Sequence, residues 1–283
     1  MSTLTAHRAP PATRLTFGGL LRSEWIKLFS LRSTLWCYAI IVVINIALGL
    51  LVAIAGQPSD GALSHEMQQS TALTAATLGI SFGQLVSAVL GALTITGEYG
   101  TGMIRSTLTA VPKRTPALVA KVLVVGLTTF VVGLVSIAVT ALITAPLLPA
   151  VGVHPDFGDS AYLLALVGAA AYLALIAMLA LGIGGIIRNS AGGIATSLGL
   201  ILVVPVVLNI LAGLTHAEWV QNISTFLPSN AGSRMYTYVT DAVAQAPASG
   251  VITLEPWQGG LVLVAWVAVL FTMASVLLKR RDA

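Results

Sequence analysis

The chain has 283 residues, 57% hydrophobic and only 8% charged, with a formal net charge of +4 and a mean hydropathy of +0.94. A soluble domain carries roughly a quarter charged residues, so this composition excludes a water-exposed globular fold and points to an all-α polytopic membrane protein. Cys37 is the single cysteine, which excludes an internal disulfide.

Residues 1–14 contain Pro10, Pro11, His7, Arg8 and Arg14 and are expected to be a disordered basic tail. They are not expected to form a signal peptide, because the first apolar run begins only near Leu35 and is too long for a signal core. Residues 15–33 predict an interfacial amphipathic helix. Phe17, Leu21, Trp25 and Leu28 fall on one face at helical spacing, and Arg22, Ser23, Lys27 and Ser30 lie elsewhere.

Six apolar runs follow, at 35–55, 72–97, 122–148, 161–187, 191–214 and 257–278. Each reaches the ~20 residues needed to cross a ~30 Å hydrocarbon core. None contains Asp, Glu, Lys, Arg or His. A spanning segment must satisfy its backbone internally, so all six predict helices, with Pro146 and Pro205 as kinks or ends. They define one membrane unit over 34–283. Arg188, Asn189 and Ser190 form a tight connection between the fourth and fifth runs.

The charges orient the bundle. With a cytoplasmic N-terminus, Arg234 alone of the 14 cations lies outside. Asp60, Glu66, Asp156, Asp159, Glu218, Asp241 and Glu255 also lie outside, whereas Glu24, Glu98 and Asp282 lie inside. The positive-inside rule therefore predicts a multi-pass protein of the inner (plasma) membrane with both termini cytoplasmic. The basic balance serves this orientation, and no nucleic-acid partner is expected. The outer segment 215–256 carries the turn-rich LPSNAGSRMYTY at 227–238 and predicts short helices between the fifth and sixth spans.

No lysine follows a glycine, so a phosphate-cradling P-loop is absent. No H-E-x-x-H or C-x-x-C occurs, and no metal or cofactor is expected. Gly79-Ile80-Ser81-Phe82-Gly83 matches a nucleophile elbow in letters, but it sits inside a span. Gly79 and Gly83 read better as small residues that let two helices approach. Asn45, Gln84 and Asn209 are polar positions within the spans; they could line a substrate path or form interhelical hydrogen bonds.

Between the second and third spans lies a polar island, Glu98-Tyr99-Gly100-Thr101-Gly102, continuing as Met103-Ile104-Arg105-Ser106-Thr107-Leu108. It predicts a short surface helix within 98–110. Met103, Ile104, Thr107 and Leu108 would share one face, with Arg105 elsewhere, and Glu98 would be exposed beside it near the helix N-terminus.

These residues carry a resemblance. SEWIKLFSLRST at 23–34, EYGTGMIRSTL at 98–108 and LPSNAGSRM at 227–235 are similar to the connecting helix, the E-[YF]-x-x-G-T-[IL]-R coupling helix and the outer segment of ABC type-2 permeases. Met103 departs from the Thr common in that family. The resemblance implies a non-catalytic transport subunit that pairs with a second permease copy or paralogue and docks a separate ATP-binding ATPase. Glu98, Tyr99, Gly102 and Arg105, with Trp25 and Lys27 of the connecting helix, would form the ATPase joint. The cargo would be an amphipathic or hydrophobic drug, lipid or peptide. A channel or secondary transporter is the alternative, disfavoured by the uncharged spans. An intramembrane enzyme lacks a credible nucleophile, base or metal set.

Overall fold

The computed structural model describes residues 16–56, 63–110, 114–238 and 250–280. The expected tail at 1–14 lies outside these residues, as do Asp60, Lys113, Asp241, Arg281 and Asp282. The described residues are mostly helical, without a strand, and six helical segments are long and apolar enough to cross a membrane.

Helix α1 (Phe17–Ser30) starts where Thr16 Oγ1 accepts the Gly19 amide at 3.2 Å, an N-cap that satisfies one orphan donor. Leu31 is extended, and the chain turns there into the first span, α2 (Arg32–Ala55). The second span is longer than its apolar run and is broken. It consists of α3 (His65–Thr77), a turn at Leu78 and Gly79, and α4 (Ile80–Gly100). Asn45 of α2 fills that corner. Its amide donates to the Ala76 carbonyl beside the break at 3.1 Å and to Thr140 Oγ1 at 2.9 Å. A Cβ on Gly79 would collide with Asn45, whereas one on Gly83 would make ordinary contacts with Leu173 and Ile41. Of the two glycines, only Gly79 is required for close approach.

The short helix α5 (Met103–Ala110) follows, then the third span, α6 (Thr115–Thr144). Pro116 opens α6, where its missing N–H costs nothing. The span therefore starts seven residues before the expected 122, which carries Lys121 into the helix. Pro146 lies beyond its end. The fourth span, α7 (Ser160–Ile187), is capped by Asp159, whose Oδ1 accepts the Ala161 amide at 2.8 Å. The fifth comprises α8 (Ser190–Leu198), a π-helical turn over Gly199–Val203, and α9 (Val204–Thr215). Pro205 explains that turn. It cannot donate to a carbonyl four residues back, and the preceding Val204 amide reaches Gly199, five back. The helix slips register and continues.

Between the fifth and sixth spans lie α10 (Glu218–Thr225) and α11 (Pro228–Ser233), then a 3₁₀ turn at Arg234–Tyr236. These are the short helices expected there. The last span is α12 (Pro256–Arg280).

Helix α7 is the centre of the bundle, packed by α4, α6 and α12. Its most apolar window is 61% buried, against 17% for the α8–α9 span and for α12. Its contact with α4 depends on small residues. A Cβ on Gly91 would strike the Ala177 backbone, and one on Gly184 would crowd Ile95 and Ala92. Without a hydrophobic force between helices in lipid, such close backbone packing supplies much of the association energy.

Candidate functional site

The island and the amphipathic helix meet at one end of the bundle, around four ionised side chains far apart in sequence. Glu24 and Lys27 come from α1, Glu98 from the last turn of α4, and Lys121 from α6. Lys27 Nζ lies 2.7 Å from Glu24 Oε1 and 3.0 Å from Glu98 Oε1. Lys121 Nζ lies 2.5 Å from Glu24 Oε2 and 2.8 Å from Glu98 Oε1. Lys27 also donates to Thr107 Oγ1 of α5 at 3.2 Å. The side chains of Glu24, Glu98 and Lys121 are only 6%, 4% and 8% exposed, and Lys27 is 24% exposed.

Two carboxylates and two ammoniums cancel, so the cluster buries no net charge. Each ion is paired at charge-assisted distances, the condition under which buried charge is tolerated. Burial lowers the Lys27 pKa, but the hydrogen bonds and charges of Glu24 and Glu98 outweigh it and leave the pKa above its ordinary value.

Glu98 is therefore not exposed as expected. The last turn of α4 points it inward against α1 and α6, where pairing with two lysines offsets its desolvation. Of the expected apolar face of α5, Ile104 and Thr107 turn inward, whereas Met103 does not and the Leu108 side chain lies outside the described set. Ile104 is buried against Tyr99 and Leu278 of α12, and Thr107 faces Lys27. Met103, Arg105 and Ser106 are exposed. Gly102 makes the sharp α4–α5 turn with φ +71°, in the left-handed region.

Helix α1 divides differently from its expected wheel. Leu28 is buried with Glu24, while Phe17 and Trp25 are about half exposed. The Trp25 and Phe29 rings meet at a tilt with centroids 4.6 Å apart, forming an outward apolar flank. The Arg188 guanidinium lies 5.1 Å over the Tyr99 ring. It also donates to the Leu277 carbonyl at 3.1 Å, and Arg114 donates to Leu278 at 2.8 Å. Both cations thus satisfy orphan carbonyls near the end of α12.

The three polar span residues do not line one path. Asn45 is buried and holds α2 to α3 and α6. Gln84 accepts from the Tyr172 hydroxyl of α7. Asn209 alone borders a cavity of about 830 Å³ at the opposite end, among Thr74, Gln221, Asn230 and Arg234, and accepts from Ser224 Oγ at 3.1 Å.

The geometry at the α1–α5 end, a short turned-out helix locked to an amphipathic helix on a six-span bundle, coincides with a family assignment over nearly the whole length. The family model described as "ABC-2 family transporter protein" matches residues 20–283. The chain belongs to the ABC-2 transporter family. It is a multi-pass membrane permease, and membership implies association with an ABC ATPase and often dimerisation. No curated protein matches the chain.

Glu24 and Lys121 were not among the candidate site residues. A signal for each exists in the sequence. Glu24 precedes Lys27 by one helical turn, and Thr115-Pro116 marks a helix start that places Lys121 within α6.

Proposed function

We propose that this permease exports an amphipathic or hydrophobic substrate, driven by ATP bound and hydrolysed in a separate ATPase subunit, with a second permease copy or paralogue completing the path. The chain itself holds no nucleotide or other cofactor and performs no chemistry. The α1–α5 end faces the cytoplasm of the inner membrane: Arg22, Lys27, Arg32, Arg105, Arg114, Lys121, Arg188, Lys279 and Arg280 gather there, as the positive-inside rule requires.

The observation that carries the coupling reading is the ionic joint. An ATPase that grips the exposed Met103–Arg105–Ser106 side of α5 and the Trp25 flank of α1 pulls on a helix tied through Thr107 and Lys27 to Glu98 and Glu24, and through these to Lys121. Movement of α5 is then passed to α4 and α6 together. Glu98 and Lys27 act as internal links, Tyr99 and Gly102 set the turn, and Arg105 is the docking charge. The lightly buried α8–α9 and α12 faces leave room for the second copy.

Arg105→Glu tests this directly. The permease should keep its stability, because Arg105 is exposed, but lose co-purification with its ATPase and ATP-driven export in proteoliposomes. The loss expected is about tenfold or more in ATPase affinity, from reversing one charge at an interface. Unchanged assembly and export would refute the docking role.

A further inference from the structure

The cavity of about 830 Å³ at the opposite end of the bundle lies between α3, α9, α10, α11 and the Arg234–Tyr236 turn. Hydrogen bonds hold its wall together. Asn230 of α11 donates to the Ser224 hydroxyl of α10 at 2.7 Å, and Ser224 donates to Asn209 of α9 at 3.1 Å. Three helices are thereby tied around one opening. Its volume is within the roughly 300–1,000 Å³ typical of small-molecule sites.

Charge in this wall is one-sided. Arg234 lines the cavity, and no Asp, Glu, Lys or His does so among the described residues. Arg234 is exposed, and its guanidinium has no hydrogen bond or ion pair among the described residues. Its five N–H donors are left in a fork that matches an oxyanion. The rest of the polar wall is neutral. Ser70, Ser81 and Gln221 have side chains without a hydrogen-bond partner among the described residues. Glu66, Asp156 and Asp159 stand outside the wall and act on it through Tyr238, whose hydroxyl is held by Asp159. Helix α10 sets the depth of the site. Gln221, Ser224 and Thr225 line the cavity, whereas Trp219, Ile223 and Phe226, on the opposite side of the helical wheel, are exposed. A short helix with a polar face inward and a Trp-bearing apolar face outward sits at the boundary of water and hydrocarbon. The cavity therefore opens at the level of lipid head groups.

We propose that this cavity holds the head group of an anionic phospholipid, with the phosphate on Arg234 and the rest of the head among the neutral hydroxyls and amides. A zwitterionic head is disfavoured, because its ammonium would meet Arg234 and no carboxylate in the wall. The orientation proposed above makes the leaflet the outer one. Binding itself depends on neither orientation nor ATPase coupling, so it is tested on the permease alone.

Native mass spectrometry of the permease released from detergent micelles counts the lipids bound at each concentration of dipalmitoyl phosphatidylglycerol or dipalmitoyl phosphatidylcholine. Arg234→Gln should lose one bound phosphatidylglycerol, its affinity falling about tenfold, the worth of one hydrogen bond to a charged group. Lipid held by the cations at the other end is common to both proteins and cancels. Ala212→Trp, which fills the cavity from α9 and keeps Arg234, should lose the same lipid. Phosphatidylcholine binding should be equal in all three proteins. An unchanged phosphatidylglycerol count in Arg234→Gln overturns the proposal, and equal loss of phosphatidylcholine overturns its charge selectivity. Retention of the lipid by Ala212→Trp would place it on Arg234 but outside the cavity. Displacement of the lipid by equimolar glycerol 3-phosphate would assign the cavity to soluble phosphates instead. Arg234 is exposed, so its variant decides even if the Trp variant does not fold.

Discussion

Removing Lys121 exposes how much the four-ion cluster holds. Lys121→Met keeps the length and apolar stem of the side chain but deletes the ammonium that sits 2.5 Å from Glu24 and 2.8 Å from Glu98. Two carboxylates, 6% and 4% exposed, then share Lys27 alone. Breaking one partner out of a buried ion pair typically costs about 3–5 kcal/mol, because the surviving charge stays desolvated. That is about a hundredfold to several-thousandfold in the unfolding equilibrium. Glu98→Gln in the same background removes the charge that Lys121→Met strands, so the double variant should recover part of the loss. A coupling energy of about 2 kcal/mol is expected, near the upper part of the range for directly contacting residues. Equilibrium unfolding in mixed micelles, followed by tryptophan fluorescence, measures all four corners of the cycle. A Lys121→Met loss below about 1 kcal/mol, or additivity within about 0.5 kcal/mol, would mean the four charges are separately solvated and the joint does not exist.

Gly102→Val forces a β-branched residue into φ +71°, at a cost of about 1–2 kcal/mol. Circular dichroism should show the helices retained, while ATPase stimulation by the permease falls, since the α4–α5 turn is displaced. Asn45→Ala strips the Ala76 carbonyl and Thr140 of their amide partner and should cost about 1 kcal/mol, as interhelical hydrogen bonds in membranes do. Its substrate profile in an export assay should be unchanged, and an altered profile would restore Asn45 to a substrate path. At the opposite end, Tyr238 donates to Asp159 at 2.5 Å, the largest cause holding the Asp159 carboxyl below its ordinary value. A depressed carboxyl stabilises the fold above the unfolded pKa of about 3.9, and the gain is lost as pH falls through the lower folded value. Tyr238→Phe should therefore flatten the loss of stability measured as pH falls below about 4; an unchanged acid limb would count against that strap.

The six spans were legible because lipid imposes a simple rule: a run of about twenty apolar residues has no stable state there but a helix. The same rule hides what interrupts a helix without ending it. The 191–214 run reads the same with or without the π turn that Pro205 imposes, and 72–97 gives no hint that Gly79 breaks the second span against Asn45. The site was half legible. The island, its short helix and Arg105 could be read from composition and local pattern. The burial of Glu98 could not, because an acid after an apolar run reads as the water-facing end of a span. Its pairing with Lys27 and Lys121 is a tertiary fact, 71 and 23 residues away.

That pairing also changes what kind of joint the permease has. A hydrophobic contact between α1, α4 and α6 would hold them as well, since buried ion clusters rarely beat well-packed apolar residues in stability. It would not hold them in one register. Packed apolar helices slide past each other with little loss of contact, whereas Lys27 and Lys121 must each reach defined oxygens on both Glu24 and Glu98, and a shift of one residue breaks several bonds at once. Ion clusters that fix register rather than add stability are the best-attested use of buried charge. In the coupling proposed above, a joint of that kind would pass movement from a docked subunit to two spans without slippage. It also explains why the sole contact between α5 and the cluster is the Thr107 hydroxyl on Lys27 among the described hydrogen bonds: α5 engages the joint through its inward face and leaves Met103 and Arg105 free for a partner.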